Sequence, residues 1–398
     1  MYMCEVARRN VANSETHSIM VISDFQSFPS LLFTMIPTFR QVSAGVPISP
    51  FQGEDEGYPR EQGEPAMKKL ITASAAHFCV DLCSAALFFG YLNTGIHWWL
   101  CMVLYNTCAF ALQLPLGILA DARNRNLPFA SLGCVLIAFS FFLRGTPVGA
   151  AAICGLGNGM FHVGGGLEIM NSSEKAAPLG VFVSPGAVGL YIGTAYASFF
   201  SGHGWLPPVI MAVTGLTLLI SGKLDGSFVS QNAPLSLIPP KDSLIPLACL
   251  FFVVVLRSLM SGAFSAELPS LPGLVPVLCL ALGKMAGGFA GDRLGLRPAA
   301  VISLCGAALL LLLPRGYVTL AALFLFNMTM PLTLYEASRL LPGAKGAAFG
   351  LLTLALFIGI LPRFVGLPLS LPSFAWAALS LLSLGLLLVG LKKEARHG

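Results

Sequence analysis

The chain has 398 residues, 56% of them hydrophobic and only 10% charged, with a formal net charge of +5. A soluble domain carries about 25% charged residues, so this composition excludes an ordinary water-soluble protein and points to a chain that faces lipid. The basic residues are spread among connectors, which excludes a nucleic-acid interface, and the ten cysteines form neither a disulfide framework nor a CxxC metal motif.

Residues 1–66 mix polar and apolar residues without a period and end in Glu54-Asp55-Glu56 and Arg60-Glu61-Gln62. Arg8 and Arg9 are not followed by a compact apolar core and a small-residue cleavage site, so this is no signal peptide. From Met67 the sequence becomes a short basic start, Lys68-Lys69, and then a long apolar run, as a first membrane span opens. We expect translation to start at Met67, leaving 1–66 as a poorly structured extension. A peptide from upstream of Met67 in the native N-terminus would refute this.

A span needs about 20 apolar residues to cross ~30 Å of hydrocarbon. Breaks at glycine, proline and charge divide the rest into twelve spans, the first six at about 70–92, 97–119, 127–143, 147–169, 177–200 and 205–222. A polar connector, 223–243, contains Pro239-Pro240. The second six follow at about 244–266, 272–290, 298–313, 316–335, 344–362 and 370–391. The halves are therefore 67–222 and 244–398, the latter with a short tail.

A duplication supports this division. Gly117-Ile118-Leu119-Ala120-Asp121, followed by Arg123 and Arg125, is echoed 171 residues later by Gly288 to Arg297, which contains Asp292 and Arg293. The same offset links Arg144-Gly145 to Arg315-Gly316. A fixed offset across otherwise dissimilar apolar sequence indicates two similar halves. Fourteen lysines and arginines fall at the two ends and the even-numbered turns, against Arg144, Arg315 and Arg363 on the other side. By the positive-inside rule both termini are cytoplasmic and the halves run parallel, in a multi-pass protein of the inner or plasma membrane.

Twelve spans with G-x-x-x-D-(R/K)-x-G-x-(R/K) after the second and eighth resemble the major facilitator superfamily over residues 67–393. Gly288 to Arg297 fits that motif at every position; the first copy lacks the glycine after Asp121 and shifts the basic residues. His77-Phe78-x-x-Asp81 in the first span and Gly157-Asn158-Gly159-Met160-Phe161-His162 in the fourth look like the fosmidomycin-resistance branch, with Val163 where that branch usually has proline. The resemblance implies an all-α membrane protein of twelve transmembrane helices in two six-helix halves. It also implies that spans 1, 4, 7 and 10 line a central cavity.

The repeated motif also has a physical reading of its own. Gly117 and Gly288 let helices approach closely, Asp121 and Asp292 can cap a neighbouring helix N-terminus, and Arg123, Arg293 and Arg297 can pair with an acid across the halves. Such a cluster would hold the cytoplasmic side shut and break as the halves rock.

An ionisable group at mid-membrane is costly unless paired or hydrated, and is a functional candidate by default. Asp81 and His162 fall near the middle of spans 1 and 4, and His77 is one helical turn before Asp81. A carboxylate with imidazoles provides groups whose protonation can change with hydration, as coupling to a proton gradient requires. Arg257 and Lys284 bring positive charge to the second half, and Gln113 stands at the offset of Lys284; with Asn158 they form the expected substrate contacts. Two buried cations favour an anionic or zwitterionic substrate. Glu168 and Glu336 are expected to pair with lysine or arginine near the cytoplasmic ends. In span 5, Ser184-Pro185 with Gly180 and Gly189 predicts a kink, since proline removes a backbone donor.

These features describe a secondary transporter moving a small organic solute by alternating access, with proton-coupled efflux favoured and proton-linked uptake of a small organic anion as the alternative. No cofactor, metal or nucleotide motif is expected, the lipid bilayer and a small-molecule substrate with protons are the partners, and a monomer suffices. Paired aspartates, HExxH and GxSxG are absent from the sequence, which argues against a membrane enzyme. A non-transporting sensor or scaffold on the same fold would reveal itself by moving no solute.

Overall fold

A computed structural model describes residues 64–93, 97–224, 235–266, 273–313, 316–364 and 371–391. Residues 1–63 and the tail from 392 lie outside them, as do Arg315 and the side chain of Arg363, so the expectations there are not addressed.

Every regular element among the described residues is helical. In the first half these are α1 (Glu64–Leu87), α2 (Trp98–Asn106), α3 (Gln113–Arg123), α4 (Asn126–Ser140), α5 (Pro147–Ser172), α6 (Ala176–Phe182), α7 (Pro185–Ala195), α8 (Ala197–Gly202) and α9 (Leu206–Leu224). The second half has α10 (Leu244–Ala266), α11 (Leu274–Leu294), α12 (Leu296–Leu311), α13 (Tyr317–Asn327), α14 (Thr329–Leu340), α15 (Lys345–Phe364) and α16 (Ser373–Gly390). Phe88–Leu92 continues α1, and Thr107–Ala111 joins α2 to α3, each as one wider π turn.

Among the described residues, ten helical stretches are long and apolar enough to cross a membrane, and the chain is a multi-pass membrane protein. Three of the described helices fall outside that criterion, one of them the six-residue α8. α12 has 16 residues. α5 is 26 residues long but carries Asn158, His162, Glu168 and many glycines. It is a central helix, buried along most of its length, so little of it needs to satisfy lipid.

Boundaries differ from the sequence-based ranges in an informative way. Asp121 and Asp292 lie inside the last turns of α3 and α11, not in the connectors. The chain then reverses at Asn124 (φ 51°) and Gly295 (φ 88°), which are themselves 171 residues apart. Asparagine tolerates a positive φ better than most residues, so Asn124 does the work of the glycine that the first copy lacks.

The halves meet along two exchanged pairs of helices. α3 packs on α15 of the other half, while α6 and α7 pack on α11. Gly117 faces Gly346 so closely that an added Cβ would collide with its carbonyl, and Gly288 faces Ala176 and Ala177 in the same manner. Close backbone approach of this kind gains dispersion and leaves no room for side chains. Exposed Trp98, Trp99, Phe142, Trp205, Tyr317 and Phe374 gather at the helix ends opposite the Asp121 and Asp292 turns. Aromatic rings at that level suit a membrane–water interface.

Candidate functional site

In α1, His77 and Asp81 are four residues apart and therefore share a face. α5 presents Asn158 and His162 with the same spacing, and the two faces meet. Asn158 Nδ2 donates to Asp81 Oδ1 at 3.1 Å and approaches Ser84 Oγ at 3.3 Å. His77 Nε2 stands 3.3 Å from Asp81 Oδ2, and His162 Nε2 stands 3.7 Å from Asp81 Oδ1. The imidazoles face one another, Nε2 to Nε2, at 2.9 Å. His77 is buried, whereas the Asp81 and His162 side chains keep 18% and 13% exposure, enough for water to reach them.

The other ring nitrogens are fixed by backbone. His162 Nδ1 lies 2.9 Å from Asn158 O, and His77 Nδ1 lies 2.7 Å from Phe182 O. The Phe182 carbonyl is free to accept because the fifth span breaks there. α6 stops at Phe182 and α7 begins at Pro185, so the helical bond that Phe182 O would accept from the Gly186 N–H four residues on is not made, and Pro185 itself has no N–H for Val181 O. The next carbonyl, Val183 O, accepts from Lys284 Nζ at 3.2 Å. Ser184 Oγ reaches Gly180 O at 2.6 Å and Ala281 O of α11 at 2.8 Å. One helix break thus touches the histidine cluster on one side and the second half on the other. Gly186, at the start of α7, admits this arrangement: a Cβ there would collide with His77 Nε2 and Asp81 Oδ2.

In the second half, Arg257 on α10 is buried and donates from Nη1 to Thr333 Oγ1 at 3.2 Å. Neither Arg257 nor Lys284 has a carboxylate partner among the described residues. Thr333 lies 171 residues after His162. The pseudo-symmetry thus sets an Asp–His pairing between spans 1 and 4 against an Arg–Thr pairing between spans 7 and 10. Lys284 is within electrostatic reach of Asp81, His162 and Arg257. Arg257 is deeply buried and Lys284 half-buried; an uncompensated cation is costly in such a setting, and an anion entering between the halves would relieve it.

Two expected substrate contacts are placed elsewhere. Asn158 is committed to Asp81 and Ser84, so it positions the carboxylate. Gln113 is fully buried, with Nε2 turned back onto Ala109 O at 2.5 Å, and its backbone packs against Gly350 of α15. Its Oε1 has no hydrogen-bond partner among the described residues.

The repeated motif joins the halves at one end of the bundle. Asp121 accepts from the N–H groups of Gly346 and Ala347, both at 2.9 Å, at the N-terminus of α15. Asp292 accepts from Ala176 and Ala177 at 2.7 and 3.0 Å, at the N-terminus of α6. Each carboxylate satisfies two of the orphan donors of a helix in the opposite half. Tyr335 Oη donates to Glu174 O at 2.6 Å, and Lys345 Nζ to Met170 O at 3.2 Å, adding further cross-links at this end. At the opposite end, the described residues show one such bond, Trp99 Nε1 to Phe364 O at 3.3 Å.

The arginines differ from expectation. Arg297 Nη2 donates to Leu388 O and Leu391 O at 2.8 and 2.7 Å, capping the C-terminus of α16 within its own half instead of pairing with an acid across the interface. Arg123 and Arg293 are exposed and form no ion pair among the described residues. Glu168 pairs with Lys69 at 3.5 Å and Glu336 with Arg339 at 3.2 Å. Gly189 lies against Phe78 O, where a Cβ would not fit, so Pro185 and Gly189 shape the packing of α7 on α1.

His77, Asp81 and His162 each offer a ligand atom, all within 4.8 Å of one another. A tetrahedral zinc with bonds of about 2.0–2.1 Å would set two imidazole nitrogens ~3.3 Å apart; the observed 2.9 Å is a hydrogen-bond separation. Sequence reasoning missed Phe182, Gly186 and Thr333. The duplication offset pointed to Thr333, and Pro185 to the free carbonyl, but Gly186 carried no signal.

No protein-family model matches the chain, and no curated protein is recognisably similar to it in sequence. Solved structures are similar in fold. FucP, a major facilitator superfamily transporter in the outward conformation, superposes with a TM-score of 0.59 at 14% identity, over 82% of this chain and 98% of its own. A variant of the E. coli fucose:proton symporter FucP gives 0.56 at 12% identity, over 83% and 100%. The human organic anion transporter MFSD10 gives 0.59 at 14% identity, over 82% and 100%. The chain therefore has the major facilitator superfamily fold.

Proposed function

We propose that the chain is a secondary active transporter that moves a small organic anion by alternating access, coupled to protons and favouring efflux. The observation that carries this is a His77–Asp81–His162 cluster in one half with two carboxylate-free cations in the other, buried Arg257 and half-buried Lys284, the latter within electrostatic reach of Asp81 and His162. An anion held between the halves neutralises both cations, and the cluster supplies a titratable partner within electrostatic reach. The likeness to a fucose:proton symporter and to an organic anion transporter is consistent with this chemistry.

In this reading α5 and α12 complete twelve crossings, six in each half. Both termini are cytoplasmic in the cell membrane, and the Asp121 and Asp292 caps close the cytoplasmic end. The conformation is then outward-facing, with rupture of the caps opening the other path. The His77–Asp81 and Asn158–His162 segments resemble the fosmidomycin-resistance branch, which is itself an efflux assignment.

The test uses everted membrane vesicles carrying the protein, energised so that the lumen is acidic, with a quenched pH dye inside. Addition of small organic anions, cations and antibiotics in turn should release fluorescence only for anions, and the release should vanish in Asp81→Asn. Responses confined to cations would refute the anion assignment. Solute entry driven by an imposed outside-acid gradient in right-side-out vesicles would replace efflux by uptake. Movement of no solute by the folded protein would leave a sensor or scaffold.

A further inference from the structure

A neutral imidazole carries one ring hydrogen and an imidazolium carries two. Phe182 O and Asn158 O can only accept, so Nδ1 of His77 and Nδ1 of His162, 2.7 and 2.9 Å from them, both carry hydrogen. Two neutral rings would then present bare lone pairs to each other across the 2.9 Å Nε2–Nε2 gap. Two imidazolium rings would present two hydrogens to the same gap. A single hydrogen in it satisfies both nitrogens.

Resting on the proton-coupled reading, we propose that the cluster stores one proton, held between Nε2 of His77 and Nε2 of His162, with ionised Asp81 as its counter-ion. Asp81 is placed for that role. It takes the Asn158 amide donor on Oδ1 at 3.1 Å, and its Oδ2 stands 3.3 Å from His77 Nε2. A proton on Asp81 instead would leave the two lone pairs opposed. Around the pair, α1 supplies Asp81, α5 supplies His162 and Cys154, Tyr105 approaches from α2, and Lys284 from α11. From the broken fifth span come only the Phe182 carbonyl and ring and the space above Gly186.

Release is a simple transfer. The N–H bond breaks, its electron pair stays on nitrogen, and the proton passes to water at the partly exposed His162 and Asp81. The bare nitrogens then repel and the rings must part. His77 cannot turn without disturbing its bond to Phe182 O, one residue from the carbonyl that holds Lys284. Loss of the proton and release of the second-half cation thus act on the same helix break. The cluster accordingly transports one proton per cycle.

The experiment is solid-state NMR of the full chain, labelled with 15N-histidine and 13C-aspartate in lipid bilayers, with H162N and D81N used for assignment and zinc content measured on the same sample. Both Nδ1 atoms should be protonated, the two Nε2 atoms should be correlated through one shared hydrogen, and Asp81 should show a carboxylate carbon. A pH-indicator dye should record one proton fewer released per protein from H162N than from the wild type as pH is raised. An Nε2–H tautomer with a bare Nδ1 in either ring, a carboxylic acid at Asp81, or stoichiometric zinc would overturn the proposal. Failure of the vesicles to move any solute would instead refute the transport reading and leave the NMR result standing.

Discussion

The Asp121 carboxylate accepts a 2.9 Å hydrogen bond from the N–H of Gly346, 225 residues away and in the other half of the protein. Asp292 makes the equivalent bond in the opposite direction, to Ala176. Two symmetry-related caps therefore join the halves at one end, each a charged acceptor on a helix N-terminus. A hydrogen bond to a charged group contributes about 1.5–3 kcal/mol, so the two caps together favour the conformation in which these ends meet.

Asp292→Asn should slow turnover with little change in substrate affinity, because an amide keeps one acceptor but loses the charge that favours the helix terminus. Asp121→Asn should have the larger effect, since Asp121 is 6% exposed whereas Asp292 is exposed. Initial rates across a range of substrate concentrations separate the two parameters; unchanged turnover in both variants would remove the gating role.

Asp81→Asn should abolish proton-driven transport and leave the protein folded. Asparagine retains an acceptor for Asn158 but cannot balance an imidazolium. Solute counterflow, which needs no net proton movement, should persist in this variant. Loss of the helical circular dichroism signal or of a monodisperse elution profile would reassign Asp81 to folding.

Gly186→Ala should disable transport, because its methyl group would occupy the space of His77 Nε2 and Asp81 Oδ2. Overpacking of this kind costs about 1–3 kcal/mol and would push the rings apart. Gly145→Ala is the control, with nothing within 4 Å of its added carbon. Equal activity in both variants would show that the cluster tolerates displacement.

Pro185→Ala returns a backbone N–H that can bond Val181 O and lets the helix run through the break, which would bring the Gly186 and Ala187 N–H groups onto the carbonyls that hold His77 and Lys284. The expected result is solute movement no longer tied to proton movement, read as a fall in protons exchanged per solute in the dye assay. Lys284→Met should instead lower apparent affinity for the anion, and Lys284→Arg should restore part of it. Tight coupling retained in Pro185→Ala would deny the break a role.

Arg297→Ala should destabilise the second half without touching the central cleft. It removes two charge-assisted bonds to Leu388 O and Leu391 O and leaves helix-terminal carbonyls unpaired, a loss of about 2–4 kcal/mol. Thermal unfolding in detergent should shift downward while the apparent affinity for transported anion stays at the wild-type value. A changed affinity with unchanged stability would return Arg297 to the interface.

Much of the architecture was legible in the sequence because lipid imposes a simple rule: backbone polar groups must be satisfied within a helix, and helices must be long and apolar. The 171-residue offset, the motif copies around Asp121 and Asp292, and the mid-span positions of Asp81, His162, Arg257 and Lys284 all follow from reading the chain in one dimension. The break at Ser184-Pro185 was equally legible, since proline's missing donor is a local property. Local rules could not say that Asn124 replaces Gly295, because that depends on the φ angle taken at the turn. They also could not distinguish Arg297 capping its own half from Arg297 pairing across it, since both place the same charge at the same depth. The two imidazoles at 2.9 Å, the carbonyl of Phe182 on His77, and the need for glycine at position 186 were decided only by tertiary structure. Each depends on which faces of α1, α5 and the broken fifth span meet, and that is set by three-dimensional packing between segments separated by about a hundred residues.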